Sequence, residues 1–184
     1  MPYQAAVQGW RDFYLVAGGA SATLVGLLFV GLALHLRTVV SRADVRSLAR
    51  VTLTNFTVVL LAALFSVIPQ GQEGASQELI ISGVVSAIII APSVAAAARA
   101  RTRTLSLFHL VMRFGLSVAG YAGIVAAGAL LGAGEIETGL TVLCASSITL
   151  LVISLRNSWD LLVSVGAATL EHRPPEAGAG GGGS

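Results

Sequence analysis

Phe13-Tyr-Leu-Val-Ala-Gly-Gly-Ala-Ser-Ala-Thr-Leu-Val-Gly-Leu-Leu-Phe-Val-Gly-Leu-Ala-Leu-His-Leu36 contains no Asp, Glu, Lys or Arg. Wound as an α-helix it is about 36 Å long, enough to cross a hydrocarbon core of about 30 Å. It is too long for the core of a cleaved signal, and the flanking Arg11 is balanced by Asp12, so it reads as a retained span. Four later stretches, 51–69, 79–98, 114–131 and 138–155, repeat the apolar pattern. The expected fold class is therefore all-α: an integral membrane five-helix bundle forming one domain over residues 1–170, with short amphipathic helices on the cytoplasmic face.

Composition agrees with that reading. Of 184 residues, 55% are hydrophobic and only 11% charged, against about 25% charged in a soluble domain. The basic charge is all arginine, and a net charge of +2 is too small to suggest nucleic acid as a partner. Cys144 is the one cysteine, so no intrachain disulfide can form. The Cys and His positions lack metal-ligand spacing, no phosphate-cradling glycine loop follows a strand, and no histidine is placed to activate a serine. The expectation is no enzyme, no cofactor and no metal. The tail from Glu171, ending Gly-Ala-Gly-Gly-Gly-Gly-Ser184, reads as a flexible linker, some of it added for expression.

Before the first span, Tyr3 and Trp10 suit the headgroup layer, though they could equally pack on neighbouring helices. Within it, Gly18, Ala22 and Gly26 recur every four residues, with Gly19 and Thr23 alongside. Lipid tails provide no hydrophobic drive between helices, so small residues that let backbones approach favour pairing. The first helix is thus expected to be the most protein-enclosed one and the route to homo-oligomerisation. The competing view is that glycine is simply common, at 21 residues. Ser41-Arg-Ala-Asp44 resembles a capping box opening an interfacial helix or an extension of the second span. Arg42, Arg46 and Arg50 then share one helix face. Pro92 is expected to kink or locally unwind the third span. Residues 104–113 look like a second amphipathic helix. Leu161–Leu170 is too short to cross again, and either continues the fifth helix or lies flat.

Five crossings put Arg37, Arg42, Arg46, Arg50, Arg99, Arg101, Arg103, Arg113, Arg156 and Arg173 on one side. The other side holds Arg11 with Glu73, Glu78, Glu135 and Glu137. Arginine-rich short loops stay inside. The expected placement is the bacterial inner (plasma) membrane, with the N-terminus outside and the C-terminus cytoplasmic. The bilayer itself is the first partner. Arg42, Arg46, Arg50, Arg99, Arg101 and Arg103 are candidates for anionic headgroups, or merely determinants of topology.

Five polar side chains are gate or pore candidates. Arg156 and Asp160, one turn apart and beside Trp159, would form an inner gate or an interfacial ion pair. His35 and His109, near the same boundary, would sense pH or hydrogen-bond at the interface. Asn55 would line a polar path or join helices.

Trp10-Arg-Asp-Phe-Tyr14, Gly19-Ala-Ser-Ala-Thr-Leu-Val-Gly-Leu-Leu-Phe-Val30 and Arg156-Asn-Ser-Trp-Asp160 together resemble a group of small bacterial multi-pass membrane proteins of unassigned activity. The resemblance covers most of residues 10–162 and implies a bacterial origin and a small helical membrane domain. It assigns no site residue. The leading functional expectation is a homo-oligomeric ion or small-solute channel. The alternative is a non-conducting scaffold or regulatory subunit of a partner membrane complex. The scarcity of charge inside most spans favours the alternative.

Overall fold

The computed structural model describes residues 3–100 and 114–171, all but a few of them helical. The helices are α1 (Tyr3–Leu34), α2 (Leu36–Ser41), α3 (Ala43–Val67), α4 (Gln72–Ala100), α5 (Leu116–Gly132) and α6 (Ile136–Glu171). Four of them, α1, α3, α4 and α6, are long and apolar enough to cross a membrane; α5 is a shorter apolar helix. At 17 residues, α5 is about 26 Å long.

Sequence neighbours pack antiparallel. Gly18 of α1 meets Ala63 of α3, Gly128 of α5 meets Ile80 of α4, and Gly120 of α5 meets Leu150 of α6. This alternation gathers the end of α1, the starts of α3 and α5, and the ends of α4 and α6 at one end of the bundle. Arg42, Arg46, Arg50 and Arg156 belong to that end. Glu73, Glu78, Glu135 and Glu137 belong to the opposite end, where Gln70 Nε2 donates to Glu78 Oε2 (2.9 Å) and Gln4 Nε2 donates to the Gln70 carbonyl (2.8 Å).

The enclosed helix is α3, not α1 as the small-residue stripe suggested. In their most apolar windows, 56% of α3 is buried against 22% of α1. The reason lies in how α3 handles its polar groups. The buried Thr52, Thr54 and Ser66 each donate to the carbonyl one turn back, at 2.8–2.9 Å. Hydroxyls satisfied within their own helix can be buried without a partner elsewhere.

The close helix approach occurs at α5 instead. A Cβ on Gly128 would stand 2.8 Å from the Ser76 carbonyl oxygen and 2.8 Å from Ile80 Cγ1. Ser76 Oγ donates to the Gly128 carbonyl at 2.7 Å, which holds α4 and α5 together at that spot. Gly134 adopts φ 89° in the turn into α6, a conformation that favours glycine.

Three local alternatives are decided by the helices. Arg42, extended at φ −110° and ψ 112°, is the residue preceding α3, and its side chain makes no capping hydrogen bond; Ser41 is the last residue of α2. The arginine segment is thus the first turns of α3, with Arg42, Arg46 and Arg50 exposed and Val45 and Leu48 buried. Pro92 sits inside a helix that stays continuous from Gln72 to Ala100, so no local unwinding accompanies it. Leu161–Leu170 continues α6, which runs 36 residues, about 54 Å.

Candidate functional site

The gate and pore candidates fall in two separate places. Asn55 lies midway along α3 and is fully buried. Its Nδ2 donates to Ser117 Oγ at 3.0 Å, and its Oδ1 accepts a short hydrogen bond from the Tyr121 hydroxyl. Ser117 and Tyr121 are one turn apart on α5 and also buried. The three side chains form a clasp between α3 and α5. It contains no group that titrates near neutral pH. Its chemistry is that of interhelical glue, worth about 0.6 and up to about 1.7 kcal/mol per hydrogen bond in a membrane interior.

The second place is a cleft of about 690 Å³ between the C-terminal halves of α1 and α6. Leu24, Leu27, Leu28 and Leu32 line it from α1, facing Val152, Leu155 and Leu162 of α6. Four polar or aromatic side chains also line it: His35, Arg156, Ser158 and Trp159. Gly31 approaches Leu162 across the floor, so α1 and α6 run parallel here. His35 Nδ1 donates to the Gly31 carbonyl at 3.2 Å, leaving Nε2 for other partners. Trp159 is 69% exposed, an uncommon position for a large aromatic unless it meets lipid or a partner.

The structure thus brings His35 and Arg156 to one cleft and keeps Asn55 out of it. Asp160 is exposed and does not line the cleft. His109, Arg101 and Arg103 lie outside the described residues, as do the segment 104–113 and the tail 172–184, and the Arg99 side chain is likewise outside the description. Of the helix-packing candidates, only Gly18 is buried, against Ala63. Gly19, Ala22, Thr23 and Gly26 are exposed, with nothing within 4 Å of a Cβ placed on Gly19 or Gly26. Thr23 Oγ1 donates to the Gly19 carbonyl at 2.9 Å.

Sequence reasoning passes over the partners of Asn55. The available signal is Tyr121, a hydroxyl-bearing ring amid an apolar span and one turn from Ser117. It also passes over Asn157, which in sequence is only a member of the closing motif. Asn157 is buried, and its Nδ2 has no hydrogen-bond partner; the Oγ atoms of Ser21, Ser147 and Ser154 are in the same condition. Spacing is the clue, because Ser147, Ser154 and Asn157 fall at i, i+7 and i+10, one face of a helix. No group of three or more metal-ligating side chains occurs among the described residues. Compared with family models, curated proteins and solved structures, the chain matched none.

Proposed function

We propose that this is a multi-pass protein of a bacterial plasma membrane, with its N-terminus outside and its C-terminus cytoplasmic, acting as a homo-oligomeric, non-conducting scaffold or regulatory subunit. Gathering of arginines at one end and glutamates at the other supports the orientation. The alternating helices support a reading with five crossings, in which Phe114 and Gly115 extend α5. One observation carries the scaffold role: α1 is the least buried long helix, yet it presents Gly19, Ala22, Gly26 and Ala33 together on an exposed face. Those residues fall at i, i+3, i+7 and i+14, so a second helix can approach closely from Gly19 to Gly26, with the exposed Val30 standing on the same face before Ala33. The gate candidates converge on no common axis, because Asn55 is spent on the α3–α5 clasp and Asp160 faces outward.

A second reading, an ion or small-solute channel formed between copies, is favoured by His35 and Arg156 meeting in one cleft at the arginine-rich end. Flux of ions and protons through the purified protein in liposomes separates the two. The scaffold reading expects no flux across a wide range of pH and voltage, with dimers or larger species on cross-linking in native membranes. Sustained flux would establish the channel, and a protein that stays monomeric at every density would overturn both.

A further inference from the structure

We infer that the α1–α6 cleft is a binding site for one anionic phospholipid of the cytoplasmic leaflet. The argument rests on length, polarity and charge. Along α1 the lining runs from Leu24 to His35, a rise of about 16 Å, or about half of a hydrocarbon core of about 30 Å. The cleft thus spans one leaflet and not two. At about 690 Å³ it falls within the range of about 300–1,000 Å³ found for sites that enclose small molecules.

Polarity changes along that length. Aliphatic side chains of Leu24, Leu27, Leu28, Val152 and Leu155 line the deep half, which suits an acyl chain, with Arg156 among them at the level of Val25. Toward the arginine-rich end come Trp159 and, last, His35. Because Gly31 lies against Leu162, Arg156 sits six residues, about 9 Å, deeper along α6 than that contact. A guanidinium on a long stem rises from such a depth to the headgroup level, and an anion there meets it without leaving its own leaflet. Trp159, three residues nearer the rim than Arg156, presents its ring to the same cleft. The Nε2 of His35 offers a second polar contact at the rim. Asp160, one turn beyond Arg156 on α6, is exposed and does not line the cleft. An anionic headgroup gives the Arg156 guanidinium a counter-charge. The site depends on the membrane placement proposed above and is independent of the scaffold role, which uses a different face of α1.

Trp159 provides the probe. In full-length protein carrying Trp10→Phe it is the sole tryptophan, since the chain has two. The protein is reconstituted in phosphatidylcholine vesicles containing a fixed fraction of dibrominated phosphatidylglycerol or dibrominated phosphatidylcholine, and quenching gives the relative occupancy of the cleft. Phosphatidylglycerol is expected to be favoured about fivefold, the effect of one arginine at an anionic surface. Arg156→Gln should bring the ratio close to one. Arg46→Gln removes an exposed arginine from the same end without touching the cleft, and should leave the ratio unchanged. A wild-type ratio near one overturns the inference, as does an equal loss in Arg46→Gln, which would mean diffuse attraction to the rim. Loss of quenching as protein density rises would place a second copy in the cleft and overturn it too. Unchanged cross-linking and flux in Arg156→Gln would keep a failure here separate from a failure of the scaffold reading.

Discussion

Glycine serves opposite purposes in α5 and α1. In α5, Gly120, Gly123 and Gly128 press on the neighbouring helices so closely that a single added methyl would overlap Leu150, Ser146 or Ile80. In α1, Gly19 and Gly26 face open space, while Gly18 is held tightly by Ala63 and Gly31 lies in ordinary contact with Leu162. The two helices carry similar stripes of small residues, yet one stripe is consumed inside the chain and the other is left over. A small-residue stripe states that a backbone can come close. It does not say whether that backbone belongs to the same chain.

The difference is open to direct attack. The largest effect should come from α5. Gly128→Val forces a side chain against the Ser76 carbonyl and Ile80, and should cost about 1–3 kcal/mol, measured by unfolding from mixed micelles. Wild-type stability in that variant would mean the α4–α5 seam is looser than described. Next comes the clasp. Tyr121→Phe removes the donor to Asn55 Oδ1 and should lose about 0.6–1.7 kcal/mol in the same unfolding measurement. Asn55→Leu in the Tyr121→Phe background should cost less than the two single changes added together, because the partners share one network.

Sequence alone went far with the fold and less far with the site. Charge-free runs of about 20 residues were enough for an all-helical chain of long apolar helices, because each such residue must meet an apolar surrounding, but not for the helix bounds: α1 begins at Tyr3 and α6 runs on to Glu171. The continuity of α6 through Leu161–Leu170 was not legible, since ten apolar residues fit an interfacial helix equally well. The enclosure of α3 was hidden because Thr52, Thr54 and Ser66 look polar in sequence, while their bonds to α3's own carbonyls make them neutral in packing. The cleft was hidden for another reason. It depends on the lateral placement of α1 beside α6, elements separated by most of the chain, and no periodicity within either helix encodes which neighbour it meets. His35 and Arg156 were individually visible; their meeting was not.

Two smaller effects sharpen the comparison. Gly26→Leu fills open space on α1, so the stability of a single chain should move by less than about 0.5 kcal/mol, while cross-linked dimers should disappear from native membranes. An equal fall in stability and association would place Gly26 inside the chain's own packing. Asn157→Leu removes a buried Nδ2 that has no hydrogen-bond partner. Its stability should stay within about 1 kcal/mol of wild type or rise, because an unpaired buried amide is itself costly. A large loss would reveal a partner for Asn157.

Single cysteines scanned along α1 from Gly19 to Ala33, in a Cys144→Ser background, test the open stripe most directly through the yield of disulfide-linked dimers in native membranes. The expected pattern is helical: high yield at Gly19, Ala22, Gly26 and Ala33, and low yield at Leu24, Leu27 and Leu28 on the cleft flank. Uniformly low yield, or maxima on the leucine flank, would contradict an assembly built through the small-residue face of α1.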